Sequence, residues 1–306
     1  MKQANNLFNR FLSIKSECAF VTAADAKYVP YLFNTLASIH LNFPDHPIIY
    51  IFDLGMSYLQ RRELSTIPWV KLVSMDKFVP HWKVNWSWKP YILSQVIERY
   101  VLYFDSANIV VCRPLYLWFL SIEKNGYLVV SNRQKLVDIV PSNYWKLFGL
   151  APEAEADKKT FGAGLIGYDT KGPAGNAIKK SLNLTVDGFN LGRSRDETNP
   201  IFDTSVEHDC VCFRADQTLL NLAFYEYLDP SRLQIRNERR YCGYGGRYDH
   251  PRQYIWYAHR HLESLIYFWK PLTTQNALFY LNRCSSYIIV MVRRHGRRLI
   301  NLITKH

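Results

Sequence analysis

Between Cys18 and Asp105 short apolar runs alternate with stretches of helical periodicity, and this alternation restricts the possible folds more than any other feature. Cys18–Ala23, Ile48–Phe52, Val70–Val73 and the run from Tyr100 to Phe104 read as strands, the last of them, rich in Tyr and Val, as a buried central one. Between them, Tyr28 to Leu41 lets Tyr31, Leu32, Leu36 and Ile39 share one helical face. Ser57 to Leu64 reads as a helix capped by Ser57, and Lys89–Glu98 as a helix that feeds the last strand. Such an alternation predicts an α/β fold: a single Rossmann-like, doubly wound, mostly parallel central sheet flanked by helices.

In open α/β sheets ligands gather outside the carboxyl ends of the strands. Asp105 ends the apolar run Tyr100–Phe104, so its carboxylate is expected to face a crevice rather than the core. An acid in that position suits the holding of a metal or a sugar.

The second half is less regular. The pattern predicts a helix over Pro114–Lys124, strands at Tyr127–Ser131 and Ala163–Asp169, and a helix over 173–183. Asp187–Asp209 is a long polar excursion, Asp216–Tyr227 a strongly amphipathic helix and Tyr241–Asp249 a Gly- and Tyr-rich loop, either a lid or a plain surface loop. A strand at Gln253–His259 delivers His259 and His261 at its end.

The 306 residues suffice for a large core, with no internal repeat. A net charge of +12 implies an anionic partner: a nucleotide, a nucleic acid or an acidic membrane. Nucleic acid is not expected, because no reading motif is present and the basic excess gathers in the tail rather than a groove. From Ser264 onward there is no acidic residue, while Lys270, Arg283, Arg293, Arg294, Arg297, Arg298 and Lys305 supply charge. Residues 275–306 fit a basic amphipathic helix on anionic lipid, or a solvated basic face packed on the core. The six cysteines are scattered, the first residues lack the apolar centre of a secretory signal, and no run reaches the roughly 18 apolar residues of a membrane span. A cytoplasmic protein is expected, peripheral on the inner membrane face if the tail binds lipid.

Four local patterns then line up in order. They are Phe20-Val21-Thr22-Ala23-Ala24-Asp25-Ala26-Lys27-Tyr28, Val101-Leu102-Tyr103-Phe104-Asp105-Ser106-Ala107, Phe161-Gly162-Ala163-Gly164-Leu165-Ile166 and Asp216-Gln217-Thr218-Leu219-Leu220-Asn221. Together they resemble the retaining glycosyltransferases of family 8, with the GT-A nucleotide-sugar fold. The resemblance runs from about Cys18 to Pro271. It divides the chain into an N-terminal extension (1–17), a nucleotide-sugar-binding catalytic domain (18–271) and a basic C-terminal helical region (272–306).

The resemblance implies a retaining hexosyltransferase that uses a nucleoside-diphosphate sugar, a UDP-sugar above all, and a glycan, lipid or protein acceptor. Ala23, Asp25 and Tyr28 would contact the nucleotide, with Tyr28 offering a ring face to the base. Lys89, Asp105, Ser106, Ala163 and Gly164 would meet the diphosphate or donor sugar. Asp216 would hold sugar hydroxyls, and Gln217 would offer a carbonyl oxygen to the oxocarbenium-like centre. The family bridges Mn²⁺ or Mg²⁺ to the diphosphate through two aspartates and a histidine. Here the aspartate pair is Asp105-Ser106-Ala107, and a methyl coordinates no hard cation. Three readings follow: a weaker metal site on Asp105 with His259 or, alternatively, His261; neutralisation of the diphosphate by basic residues; or a relative that binds nucleotide or glycan without catalysis.

Overall fold

The computed structural model describes residues 2–110, 115–148, 150–191, 210, 213–228, 235–236, 242–243 and 255–257. Helix α1 (Lys2–Ile14) leads into β1 (Cys18–Ala24), α2 (Val29–Asn42), β2 (Ile48–Asp53), α3 (Tyr58–Ser65), β3 (Val70–Ser74), α4 (Trp88–Ser94) and β4 (Tyr100–Phe104). There follow β5 (Asn108–Val110), α5 (Tyr116–Asn125), β6 (Tyr127–Lys135) and the short helices α6 (Leu136–Ile139), α7 (Ser142–Leu147) and α8 (Pro152–Glu155). Next come β7 (Lys159–Asp169), α9 (Pro173–Val186), α10 (Ala215–Tyr227), β8 (Ile235–Arg236), β9 (Cys242–Gly243) and β10 (Ile255–Tyr257).

The chain divides into two compact units. The first, Met1–Ala26, Pro47–Asp105 and Leu115–Glu238, holds a seven-stranded sheet in the order β3-β2-β1-β4-β7-β6-β8. β3, β2, β1 and β4 run parallel, β7 is antiparallel to both β4 and β6, and β8 is parallel to β6. The sheet is therefore mostly parallel, as expected. Its first four strands are the apolar runs named above, and β1 and β4 are buried at every position. The second unit, Lys27–His46, Ser106–Pro114 and Arg239–His306, carries α2 and the sheet β5-β10-β9. There α2 fastens to β5 by polar side chains: Asn42 Nδ2 donates to the Val110 carbonyl (3.1 Å) and Val110 N–H donates to Ser38 Oγ (3.0 Å).

Several elements differ from their sequence patterns. The helix from Lys89 ends at Ser94 rather than Glu98, since the chain must turn before β4 starts at Tyr100. β6 and β7 run longer than their apolar stretches. α1 precedes the first apolar run; Leu7, Phe8, Phe11 and Ile14 recur at helical spacing, and the Phe11 ring meets those of Tyr116 and Phe119 on α5. α10 is not amphipathic but buried on nearly every side. Leu220, Ala223 and Phe224 enter the main core beside Val129, Phe161 and Ile178, while Leu219, Leu222 and Tyr225 enter a smaller core with Ile139, Tyr144, Leu184 and Phe189. A helix wedged between two cores needs apolar residues all round. The basic tail, most of the Tyr241–Asp249 loop, residues 192–209, His259 and His261 lie outside the described residues.

Candidate active site

The site is built within the first unit around Lys89. Before α4 the chain passes through two non-glycine residues with left-handed backbone, Asn85 (φ 49°) and Trp86 (φ 57°). Asn190 braces this turn by donating from Nδ2 to Ser87 Oγ (2.5 Å). Such backbone is sparsely populated and held only when its surroundings fix it. It delivers Lys89 into the first turn of α4, where the side chain runs inward and is only 4% exposed.

The Lys89 ammonium faces three oxygens. Asp216 Oδ2 lies at 2.9 Å, Asp105 Oδ1 at 3.3 Å and the Ala163 carbonyl at 3.2 Å. The rings of Tyr103 and Trp88 flank it, with centroids at 5.4 and 5.7 Å. Burial by itself would push the ammonium down, but the two carboxylates outweigh it and hold the lysine above its ordinary value. Burial is likewise the largest influence on Asp216 and lifts its carboxyl, against the pull of Lys89. One ammonium facing two carboxylates leaves an excess negative charge in the cluster.

Each carboxylate is presented by the fold. Asp105 follows the last residue of β4; its N–H donates to the Gly164 carbonyl (3.0 Å), and Tyr103 O–H donates to its Oδ1 (2.5 Å). Asp216 sits in the first turn of α10, just after Ala215, whose φ of 31° is strained for a residue with a Cβ. Its side chain turns to Lys89 rather than capping the helix; the cap position belongs to Arg214. Asn221, fully buried, locks α10 to β7: it accepts from Phe161 N–H (2.9 Å) and donates to the Phe161 carbonyl (2.9 Å). This is a strand-like pairing made by one side chain. It gives the last residue of the Asp-Gln-x-x-Leu-Asn pattern a reason to be Asn.

The structure thus brings Lys89, Asp105, Ala163, Gly164 and Asp216 together, with Gln217 next along α10. Gln217 Nε2 donates to Gln134 Oε1 on β6 (3.4 Å). Ala23 is buried near the end of β1, two residues past the Val21–Tyr103 pair that closes the β1–β4 register. Asp25 is half-buried just past β1, where the Ala26 N–H donates to the Gly55 carbonyl (3.2 Å). Tyr28 and Ser106 belong to the second unit, where Tyr28 precedes α2 and the Ser106 carbonyl accepts from Thr35 Oγ1 (2.8 Å). Tyr103, Asn132 and Gln134 escaped the sequence reading. Tyr103 is hidden among strand aromatics, and the other two acquire meaning only from their partners.

A divalent cation does not fit the described donor set. One Asp105 oxygen is engaged by both Tyr103 and Lys89, the residue two positions on is Ala107, and the described residues contain no group of three His, Cys, Asp or Glu able to hold a metal.

No family model matches the chain, and no curated protein matches it in sequence. Solved structures do. The galactosyltransferase LgtC, described in complex with donor and acceptor sugar analogs, superposes with a TM-score of 0.50 at 18% identity, over 73% of this chain and 74% of that one. The fold is of the GT-A type. The bifunctional glycosyltransferase WbbM (TM-score 0.49, 15% identity, 76% of this chain) and GlyE of Streptococcus pneumoniae (0.42, 19%, 72%) are also similar; the match spans 40% and 45% of those chains. In this GT-A chain the Lys89 cluster lies where the α/β rule puts ligands, at the carboxyl edge of β4. Among the described residues no helix is long and apolar enough to cross a membrane.

Proposed function

We propose that the chain transfers a sugar from a nucleoside-diphosphate sugar, of the uridine class, to an acceptor hydroxyl on a glycan, lipid or protein, with the anomeric configuration retained. The observation that carries this reading is the Lys89–Asp105–Asp216 cluster at the carboxyl edge of a GT-A sheet. The description of LgtC with donor and acceptor sugar analogs adds support.

The chemistry follows from what each group has left to offer. Lys89 donates to the Ala163 carbonyl and faces both carboxylates at ion-pair distance, so its charge is answered within the protein. It holds two carboxylates in place as acceptors for donor-sugar hydroxyls, a buried geometry that fixes orientation. In the transfer the bond from the anomeric carbon to the β-phosphate oxygen breaks and its electron pair leaves with the diphosphate. The acceptor oxygen bonds to that carbon from the same face, and its proton passes to a leaving phosphate oxygen. The Gln217 carbonyl dipole faces the positive charge that develops on the carbon. Ala23, Asp25 and Tyr28 serve the nucleotide, and Ser106, Ala163 and Gly164 serve the donor. Lysines and arginines, in excess of acids by 12, answer the diphosphate charge.

A binding-only relative is the second reading, favoured by Ala107. Turnover separates the two. Purified protein should hydrolyse a UDP-sugar slowly, and Asp105→Ala or Gln217→Ala should abolish this. Failure of every nucleoside-diphosphate sugar to bind more tightly than about millimolar, in a thermal-shift panel, would remove the transferase reading. Membrane contact through residues 275–306 is a separate part of the proposal. Sedimentation with anionic liposomes should be lost on truncation at 274; retained binding refutes it.

A further inference from the structure

The register of β6 against β7 shifts twice. Val129 pairs with Ile166 and Ser131 with Phe161, so β7 carries extra residues at its small-residue segment; Lys135 then pairs with Lys159, so β6 carries extra residues between Ser131 and Lys135. Bulges of this kind re-aim side chains and recur beside active sites. The second one carries Asn132 and Gln134.

Three amides meet there, and a backbone group fixes the orientation of all of them. The Gln134 N–H lies 3.1 Å from an Asn132 side-chain atom. A peptide N–H only donates, so that atom is Oδ1, which also accepts from Thr160 Oγ1 (2.5 Å). The other arm of Asn132 is therefore Nδ2, and the Gln134 atom 2.6 Å from it must be the acceptor Oε1. The Gln217 atom 3.4 Å from the same oxygen must then be Nε2. Its carbonyl oxygen consequently points away from Gln134. Thr160 is fully buried, whereas Asn132, Gln134 and Gln217 are half-buried, so an anchored relay ends in a group open to ligand.

We propose that Gln134 is a positioning residue: through it the β6 bulge fixes the Gln217 amide so that its carbonyl oxygen, and not its NH₂, is presented to the donor sugar. The role given to Gln217 rests on the transferase reading above; the relay itself does not. Without Gln134 the amide rotates freely and its NH₂ spends part of its time where the electron-poor carbon needs an oxygen.

The experiment joins kinetics to a side-chain readout. Gln134→Leu removes the acceptor at similar volume, while Gln134→Glu keeps an oxygen for Gln217 Nε2. With a UDP-sugar that the wild type hydrolyses, Gln134→Leu should lower kcat by about 10- to 100-fold with donor KM within about threefold. Gln134→Glu should stay within about threefold of wild type. In ¹⁵N-glutamine-labelled protein, the Gln217 NH₂ signals, identified by their loss in Gln217→Ala, should be two distinct resonances in wild type and Gln134→Glu and should merge or shift in Gln134→Leu. Equal kcat in wild type and Gln134→Leu, equal damage in both variants, or Gln217 signals indifferent to Gln134→Leu overturns the proposal. If the wild type hydrolyses no sugar nucleotide, the transferase reading falls and the NH₂ signals alone decide the relay.

Discussion

Lys89 Nζ lies 2.9 Å from Asp216 Oδ2, and this buried pair ties the head of α4 to the head of α10. Removing one partner of such a pair strands the other charge, a loss of about 3–5 kcal/mol, whereas removing both can be nearly neutral. Lys89→Met should therefore lower the unfolding midpoint sharply, and Lys89→Met with Asp216→Asn should recover much of it. A double-mutant cycle in urea measures the coupling. Additive losses would mean that the two groups do not depend on each other.

With Asp105 already engaged by Lys89 and Tyr103, donor turnover should not need a divalent cation. Treatment with EDTA is expected to change the rate by less than about twofold. Abolition by the chelator, with rescue by Mn²⁺ at micromolar concentration, contradicts this.

Asn221 satisfies both backbone groups of Phe161 in a site without solvent. Asn221→Leu leaves them unpaired, at about 1–3 kcal/mol each. Chemical denaturation should register the loss, and a change under about 1 kcal/mol would refute the assigned role.

Asp53 closes the turn after β2. Its Oδ1 accepts from Gly55 N–H (2.8 Å) and Met56 N–H (2.6 Å), and Arg61 Nη1 lies 3.1 Å from Oδ2. Burial by itself would raise this carboxyl, yet the Met56 and Gly55 N–H groups and Arg61 outweigh it and hold it below the usual range. Its contribution is thus fully present above the ordinary carboxylate pKa of about 4 and is lost as pH falls through the lower folded value. Thermal melts from about pH 5 to about pH 3 should fall more steeply for wild type than for Asp53→Asn. Parallel curves would exclude it.

Cys18 is buried at the start of β1, and its thiol is pushed up to about 12, first by burial and then by Glu17 and Glu123. At pH 8 only about one molecule in 10⁴ carries the thiolate, the reactive form. Peptide mapping after iodoacetamide should find Cys18 unmodified in native protein and modified after unfolding. Rapid native alkylation would disprove the burial argument.

Local chemistry carried much of the fold. The parallel strands β1, β2 and β4 follow from short runs of Ile, Val and aromatic residues, because a strand covered on both faces must be apolar throughout, whereas β3, at the sheet edge, is only partly buried. Ser57 caps α3 as expected, in a capping box with Gln60 that needs only four neighbouring residues. Asp105 at the end of β4 is legible for the same reason: a charge closes an apolar run.

What the sequence left open depends on partners distant along the chain. It showed a lysine, two aspartates and a glycine-rich strand, but only packing made Lys89 the centre of a charge cluster. The α10 pattern suggested one buried face, and two cores met on it instead. The β6 bulge has no signature, since a shift of register is a property of two strands and not of either one. Sequence by itself determined which segments are strands or helices and where a carboxylate leaves the core, for those are set by near neighbours. Tertiary structure decided which charges share one site and how the Gln217 amide is turned, because ion pairs and hydrogen bonds join groups that the chain order keeps apart.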